Sequence, residues 1–136
     1  MKIVVIDGQG GGMGRSIVER LRTELPNAEI IAAGTNATAT SSMLKAGASV
    51  GATGENAVVY NCAHSDIIIG PIGIILANAM LGEITPAMAC AVATSNAKVV
   101  LIPVAKCHAH IVGIEEKPMS RYIEEAIGIV LGFYKA

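Results

Sequence analysis

A chain of 136 residues with a formal charge of −1 and only 15% charged residues has no basic surplus of the kind that nucleic-acid binding draws on. Hydrophobic residues make up 52% of it, yet it has no Trp, one Phe and three Tyr, which predicts an aliphatic, closely packed core. Three cysteines at no framework spacing predict reduced thiols, and no apolar run suits a signal peptide or a membrane span, so one cytoplasmic domain over residues 1–136 is expected.

Ile3-Val4-Val5-Ile6 is a β-branched run that stops at Asp7. It is followed by Gly8, Gln9, Gly10, Gly11, Gly12, Met13, Gly14 and Arg15. Apolar Met13, Ile17, Val18, Leu21 and Leu25 then recur at helical spacing, with Glu19, Arg20, Arg22 and Glu24 opposite. Strand, glycine turn and helix predict the opening of a nucleotide-binding βαβ unit. Glycines admit a phosphate close to the backbone, and the free N–H groups of the new helix favour an anion. G-x-G-x-x-G ending on Gly14 fails at Gln9, whereas G-x-x-x-G-x-G fits Gly8, Gly12 and Gly14. On those residues the first βα unit resembles the cofactor turn of short-chain dehydrogenases, which implies NADP or NAD as the cofactor class. Asp7 can orient the turn by accepting main-chain N–H bonds, or hold a ribose or a metal ion; the structural role is preferred.

Glu29–Ala33 reads as the second strand, followed by Gly34, Thr35, Asn36, Ala37 and Thr38. No acid stands where an NAD-selecting domain places one, so Thr35, Asn36 and Thr38 are free to donate to a 2′-phosphate and NADP should be tolerated at least as well as NAD. The same run equally serves to cap the next helix, which runs to about Lys45 and is ended by Gly47. Thr53 and Gly54 enter a short helix over Glu55–Ala63, and Asp66–Gly70 is a third strand, apolar enough to be buried on both faces. It ends in Gly70, Pro71, Ile72 and Gly73, predicted to lie beside the first turn in the crevice outside the strand ends.

A helix is predicted over Ile74–Leu81, with Asn78 its one polar residue. Gly82 ends it, Thr85 caps the next helix over Ala87–Ala93, and Pro86 takes that helix's first position. Lys98–Ile102 is a fourth strand. His110–Ile114 is a fifth, antiparallel, because seven linking residues are too few for a crossover helix. The chain closes with a helix over Ser120–Tyr134 whose later half is apolar nearly all round. That surplus predicts a homodimer or higher homo-oligomer, with Ile127, Val130, Leu131 and Phe133 in the contact.

The Tyr-x-x-x-Lys pair that short-chain dehydrogenases use is missing, since Tyr60 is followed four residues later by His64 and Tyr122 by Ala126. Cys62, His64, Cys107, His108 and His110 are zinc's preferred ligand types but not at a zinc spacing; surface histidines and buried thiols explain them, and no metal is assigned. Glu55 and Glu83 lie near glycines and read as solvated carboxylates.

Together these features predict a three-layer, Rossmann-like α/β fold with a mostly parallel sheet of about five strands and helices on both faces. The function expected is binding of a nucleotide, a dinucleotide or another phosphorylated small molecule. Phosphates sit on Gly8–Arg15 and the sugar near Thr35 and Asn36, with Gly70–Gly73 as the opposite wall. The alternative is a regulatory, ligand-sensing or structural subunit without catalysis of its own; neither nucleic acid nor a membrane is an expected partner. Over most of its length, through "VIDGQGGGMG", "GTNATATSSMLKAGA", "GATGENAVVYN", "DIIIGPIGIILANAMLGEITP" and "VGIEEKP", the chain resembles a family of short bacterial proteins described only as a domain of unknown function. That resemblance implies a Rossmann-like fold and carries no reaction or ligand with it.

Overall fold

The computed structural model describes residues 1–104 and 108–135. In chain order it comprises β1 (Lys2–Asp7), α1 (Gly12–Glu24), β2 (Glu29–Gly34), α2 (Ala37–Lys45), β3 (Val50–Thr53), α3 (Glu55–Ala63) and β4 (Ile67–Pro71). A 3₁₀ turn (Ile72–Ile75), α4 (Pro86–Thr94), β5 (Lys98–Ile102) and α5 (Met119–Lys135) complete it. The sheet runs β3-β2-β1-β4-β5 and every neighbouring pair is parallel. The chain steps outward from β1 to β3, then returns past β1 to begin β4. The order therefore reverses between β1 and β4, the place where open α/β sheets leave a crevice at the strands' carboxyl ends.

Side chains alternate faces along a strand, and both faces here are apolar. Ile3, Val5, Ile30, Ala32, Ile67 and Ile69 pack with Ile17, Val18 and Leu21 of α1 and Ile123, Ile127 and Val130 of α5. On the other face Val4, Ile6, Ile31, Ala33 and Ile68 meet Val58 and Cys62 of α3 and Met88 and Val92 of α4. This is the three-layer α/β arrangement expected. Neither core holds a fully buried aromatic ring among the described residues; Tyr122, Phe133 and Tyr134 pack only at a margin.

Several elements differ from expectation. The fifth strand is Val50–Thr53, not His110–Ile114. A four-residue edge strand containing a glycine and with little of its surface buried carries almost no apolar pattern. The His110–Ile114 run is irregular and turns at Gly113 (φ 89°), leaving Ile111, Val112 and Ile114 exposed. The helix predicted over Ile74–Leu81 is a 3₁₀ turn followed by a chain reversal, because Asn78 (φ 67°), Met80 (φ 57°) and Leu81 (φ 56°) are left-handed. In α5, Ile127 and Val130 are buried in the chain's own core and Leu131 and Phe133 half-buried against it, so Ile127 and Val130 are not available to a subunit contact. Covering β5 consumes the apolar surplus on that side. No helix among the described residues is long and apolar enough to cross a membrane.

Ile127→Ala is expected to lower the unfolding free energy by about 2–5 kcal/mol, the usual cost of truncating a buried isoleucine. Urea denaturation measures it, and the loss should not depend on protein concentration; a concentration-dependent loss would mean that the side chain serves an interface.

Candidate ligand site

The turn after β1 is built on left-handed backbone. Gln9 (φ 50°) and Gly11 (φ 74°) bend the chain into α1, and the Gly11 N–H closes the turn on the Gly8 carbonyl at 2.9 Å. A Cβ on Gly11 would stand 2.7 Å from Ala39 Cα, so that position demands glycine. As the N-cap of α1, Gly11 offers no side chain to the first N–H groups of the helix. Asp7 supplies part of what is missing: Oδ2 accepts from the Gly14 N–H at 2.7 Å and Oδ1 from the Gly8 N–H at 2.8 Å. Burial pushes the Asp7 pKa above the usual carboxylate value. The Gly14 and Gly8 N–H bonds oppose the shift, and the Glu83 charge adds to it. Both Asp7 oxygens are thus engaged inward, in the structural role. The N–H groups of Gly10, Gly12 and Met13 find no acceptor among the described residues.

Opposite this turn, the chain after the 3₁₀ turn reverses through left-handed residues. The Asn78 N–H donates to the Ile84 carbonyl at 2.7 Å and the Gly82 N–H (φ 90°) to the Asn78 carbonyl at 3.0 Å. The reversal brings Glu83 back to the glycine turn. Its Oε1 accepts from Thr35 Oγ1 at 2.6 Å, Asn36 Nδ2 at 2.8 Å and the Gln9 N–H at 2.9 Å. Left-handed Met80 and Leu81 cost about 1–2 kcal/mol each. Hydrogen bonds to a charged acceptor are worth roughly 1.5–3 kcal/mol each, less where the group is part-exposed, so three of them hold the reversal closed. Asn36 also caps α2, accepting from the Ala39 N–H at 2.9 Å, and donates to the Gln9 carbonyl at 2.9 Å. The capping reading of this polar run is therefore observed at Asn36. The inference from a missing acid is corrected: Glu83, supplied from a distant loop, puts a carboxylate beside the end of β2.

Between the two turns lies a cleft of about 810 Å³, within the size range of small-molecule sites. It is lined by Asp7, Gly8, Gln9, Gly10, Gly11, Gly12, Met13, Pro71, Gly73 and Asn78 of the residues read from the sequence. The others stand outside the lining. Gly14 packs against Asp7 and Met43, where a Cβ would come within 2.6 Å of Met43 Sδ. Arg15 is exposed and pairs with Glu19 at 3.1 Å. Thr38 is exposed on α2, and Thr35 and Asn36 are turned to Glu83. Gly70 is bare because a Cβ would meet the Ile6 carbonyl of β1, and Ile72 lines a smaller cavity with Pro103 and His110.

Leu76, Ala79, Met80, Leu81, Val104, His108 and Met119 complete the cleft and were not anticipated. Glu83, at its margin, had one signal in the sequence: it is the only charged residue between Asp66 and Lys98. Cys62 is buried, and burial pushes its thiol up to about 11, which removes it from thiolate chemistry near neutral pH. His64 stacks on Tyr60 and its Nδ1 lies 2.7 Å from the Tyr60 carbonyl. Cys107 lies outside the described residues, and among those described no cluster of three His, Cys, Asp or Glu is placed to hold a metal.

Topology and cleft together define a doubly wound α/β protein with a crevice at its switch point. The chain belongs to the family described as Domain of unknown function (DUF3842), whose family model matches residues 2–135. No curated protein matches the sequence. A solved structure, the dodecameric FMN-dependent Ubix-like decarboxylase from Escherichia coli O157:H7, is similar at 18% identity and a TM-score of 0.49, over 95% of this chain and 75% of that chain.

The Thr35 hydroxyl, then the Gln9 N–H, hold the Glu83 carboxyl below its ordinary value of 4.5. Because its folded value lies below the unfolded one, the stabilisation is complete above about pH 4.5 and is lost as pH falls through the folded value. Asp7 runs the other way: its folded value lies above 3.8, and its ionisation costs stability as pH rises from there. The stability difference between wild type and Glu83→Gln should therefore shrink as pH falls below about 4.5, where the glutamic acid becomes as neutral as glutamine. Urea unfolding at a series of pH values reads it; a difference that grows with acid contradicts the assignment.

Proposed function

We propose that this chain binds a nucleotide or a closely related phosphorylated small molecule in the cleft between the glycine turn and the Ile72–Gly82 segment. The observation that carries the reading is the meeting, at the switch point, of an apolar cleft with three N–H groups that have no acceptor among the described residues. The N–H groups of Gly10, Gly12 and Met13 stand at the start of α1, where the helix dipole favours an anion. Leu76, Met80, Val104 and Met119 give the remaining wall an apolar character suited to a planar base or ring. Among the described residues no Lys or Arg lines the cleft, and the main-chain N–H groups of the turn are the donors it offers to an anion.

Among the described residues no two side chains lining the cleft are hydrogen-bonded to each other as acid and base. Both Asp7 oxygens accept main-chain N–H bonds, and the reading is one of binding rather than catalysis by the isolated chain. Self-association belongs to the proposal as well, through outward-facing Ile111, Val112 and Ile114 rather than the buried positions of α5.

Thermal shift over a panel of NAD, NADP, ATP, AMP, flavin nucleotides and sugar phosphates is the test. A bound ligand at a hundred times its dissociation constant adds about 2.7 kcal/mol of stability. Gly12→Val then localises the site. A Cβ at Gly12 meets nothing within 4 Å and the residue is exposed, so the fold should keep its stability to within about 1 kcal/mol. Affinity for the best ligand should fall at least tenfold, about 1.4 kcal/mol, as the branched side chain covers the N–H groups. Unchanged affinity would exclude the turn as the anion site.

A further inference from the structure

We propose that Glu83, held in place by Thr35 and Asn36, is the receptor for the sugar hydroxyls of the bound nucleotide, and that it selects ligands whose ribose 2′ oxygen is free. The proposal rests on the nucleotide reading above and names the ligand class of the same site.

Three separate elements deliver the cluster to one place. Gln9 comes from the turn after β1, Thr35 and Asn36 from the end of β2, and Glu83 from the loop before α4. Gln9 lines the cleft and donates to Glu83, so the carboxylate stands at the cleft's margin, next to the N–H groups assigned to the phosphate. A sugar joined to that phosphate reaches this margin first.

The two oxygens of Glu83 are unequal. Oε1 takes all three donors, while Oε2 has no partner among the described residues, and the side chain is only half-buried. A carboxylate with one oxygen anchored and the other unengaged is a fixed acceptor, suited to the O–H groups of a vicinal diol. Its three anchors are neutral donors. Among the described residues no Lys, Arg or His pairs with Glu83 or with Asp7. A hydroxyl is welcome there; a second phosphate on the 2′ oxygen meets the like charge of Glu83.

The backbone supports the same assignment. Met80, Leu81 and Gly82 are consecutively left-handed, with φ of 57°, 56° and 90°, a conformation that persists only where the surroundings over-determine it. Strain of this kind concentrates at ligand clamps, and here its product is the placement of Glu83. Gly8 is bare for the same reason: a Cβ there would stand 2.6 Å from Thr35 Oγ1 and 3.0 Å from Glu83 Oε1.

Isothermal titration of the full chain with AMP, 2′-deoxy-AMP and adenosine 2′,5′-bisphosphate tests the proposal. AMP should bind at least tenfold more tightly than either of the others. Glu83→Gln, checked for native circular dichroism, should bring all three within threefold by weakening AMP and admitting the bisphosphate. Equal wild-type affinities overturn the proposal, as does a ratio unchanged by Glu83→Gln. Binding of other phosphorylated compounds with none of AMP also overturns it while leaving the cleft assignment in place. Failure of every phosphorylated compound to bind overturns the nucleotide reading itself.

Discussion

A single carboxylate oxygen ties together the edge of the sheet where the strands end. Glu83 Oε1 collects a main-chain N–H from the glycine turn, a hydroxyl from the end of β2 and an amide from the cap of α2. Without it, the reversal through Met80 and Leu81 has little to offset its strain, and the wall facing the glycine turn loses its anchor. Asp7 performs the complementary task from beneath, tying β1 to the first turn of α1 through the Gly8 and Gly14 N–H groups. The two acids divide the work: one is buried and destabilised as an anion, the other part-exposed and stabilised as one.

The sheet explains why these groups meet. Parallel strands place all their carboxyl ends on one edge, and the reversal of strand order opens a gap between β1 and β4 there. The strands are apolar on both faces, so helices cover both and the polar groups of the strand ends are left at that edge. Close packing sets the remaining detail. Gly14 lets α1 approach Asp7 and Met43, and Gly70 lets β4 approach β1. These two glycines serve the scaffold, whereas Gly10 and Gly12, with nothing near their absent Cβ atoms, face open space in the cleft.

The sequence was most legible where one local rule dominated. Continuous apolar runs, mostly β-branched, mark β1, β2, β4 and β5, and Thr85-Pro86 fixes the start of α4, with the Thr85 hydroxyl accepting from the Met88 N–H at 3.2 Å. β3 was hidden because an edge strand of Val-Gly-Ala-Thr has little to bury. The Ile74–Leu81 stretch reads as helix by composition. What overrides composition there is tertiary: Glu83 has donors waiting on two other strand ends, and the chain must turn back to reach them. For the same reason the wall formed by Leu76, Met80, Val104, His108 and Met119 carried no local signal, since its members come from three separate stretches. The apolar excess of α5 was legible, but its destination was not: α5 packs on β5 and against α1, so Ile127 and Val130 are core positions.

The central claim is that an anion-bearing ligand sits on the turn between β1 and α1, beside Glu83. Titrating the ¹⁵N-labelled chain with AMP and following the amide resonances tests it most directly. The account predicts that the largest shifts fall on Gly10, Gly12 and Met13, with smaller ones at Gln9 and Thr35 next to the carboxylate. Shifts confined to the α3–α4 face, or none in the turn at ligand concentrations that saturate the thermal response, would contradict it.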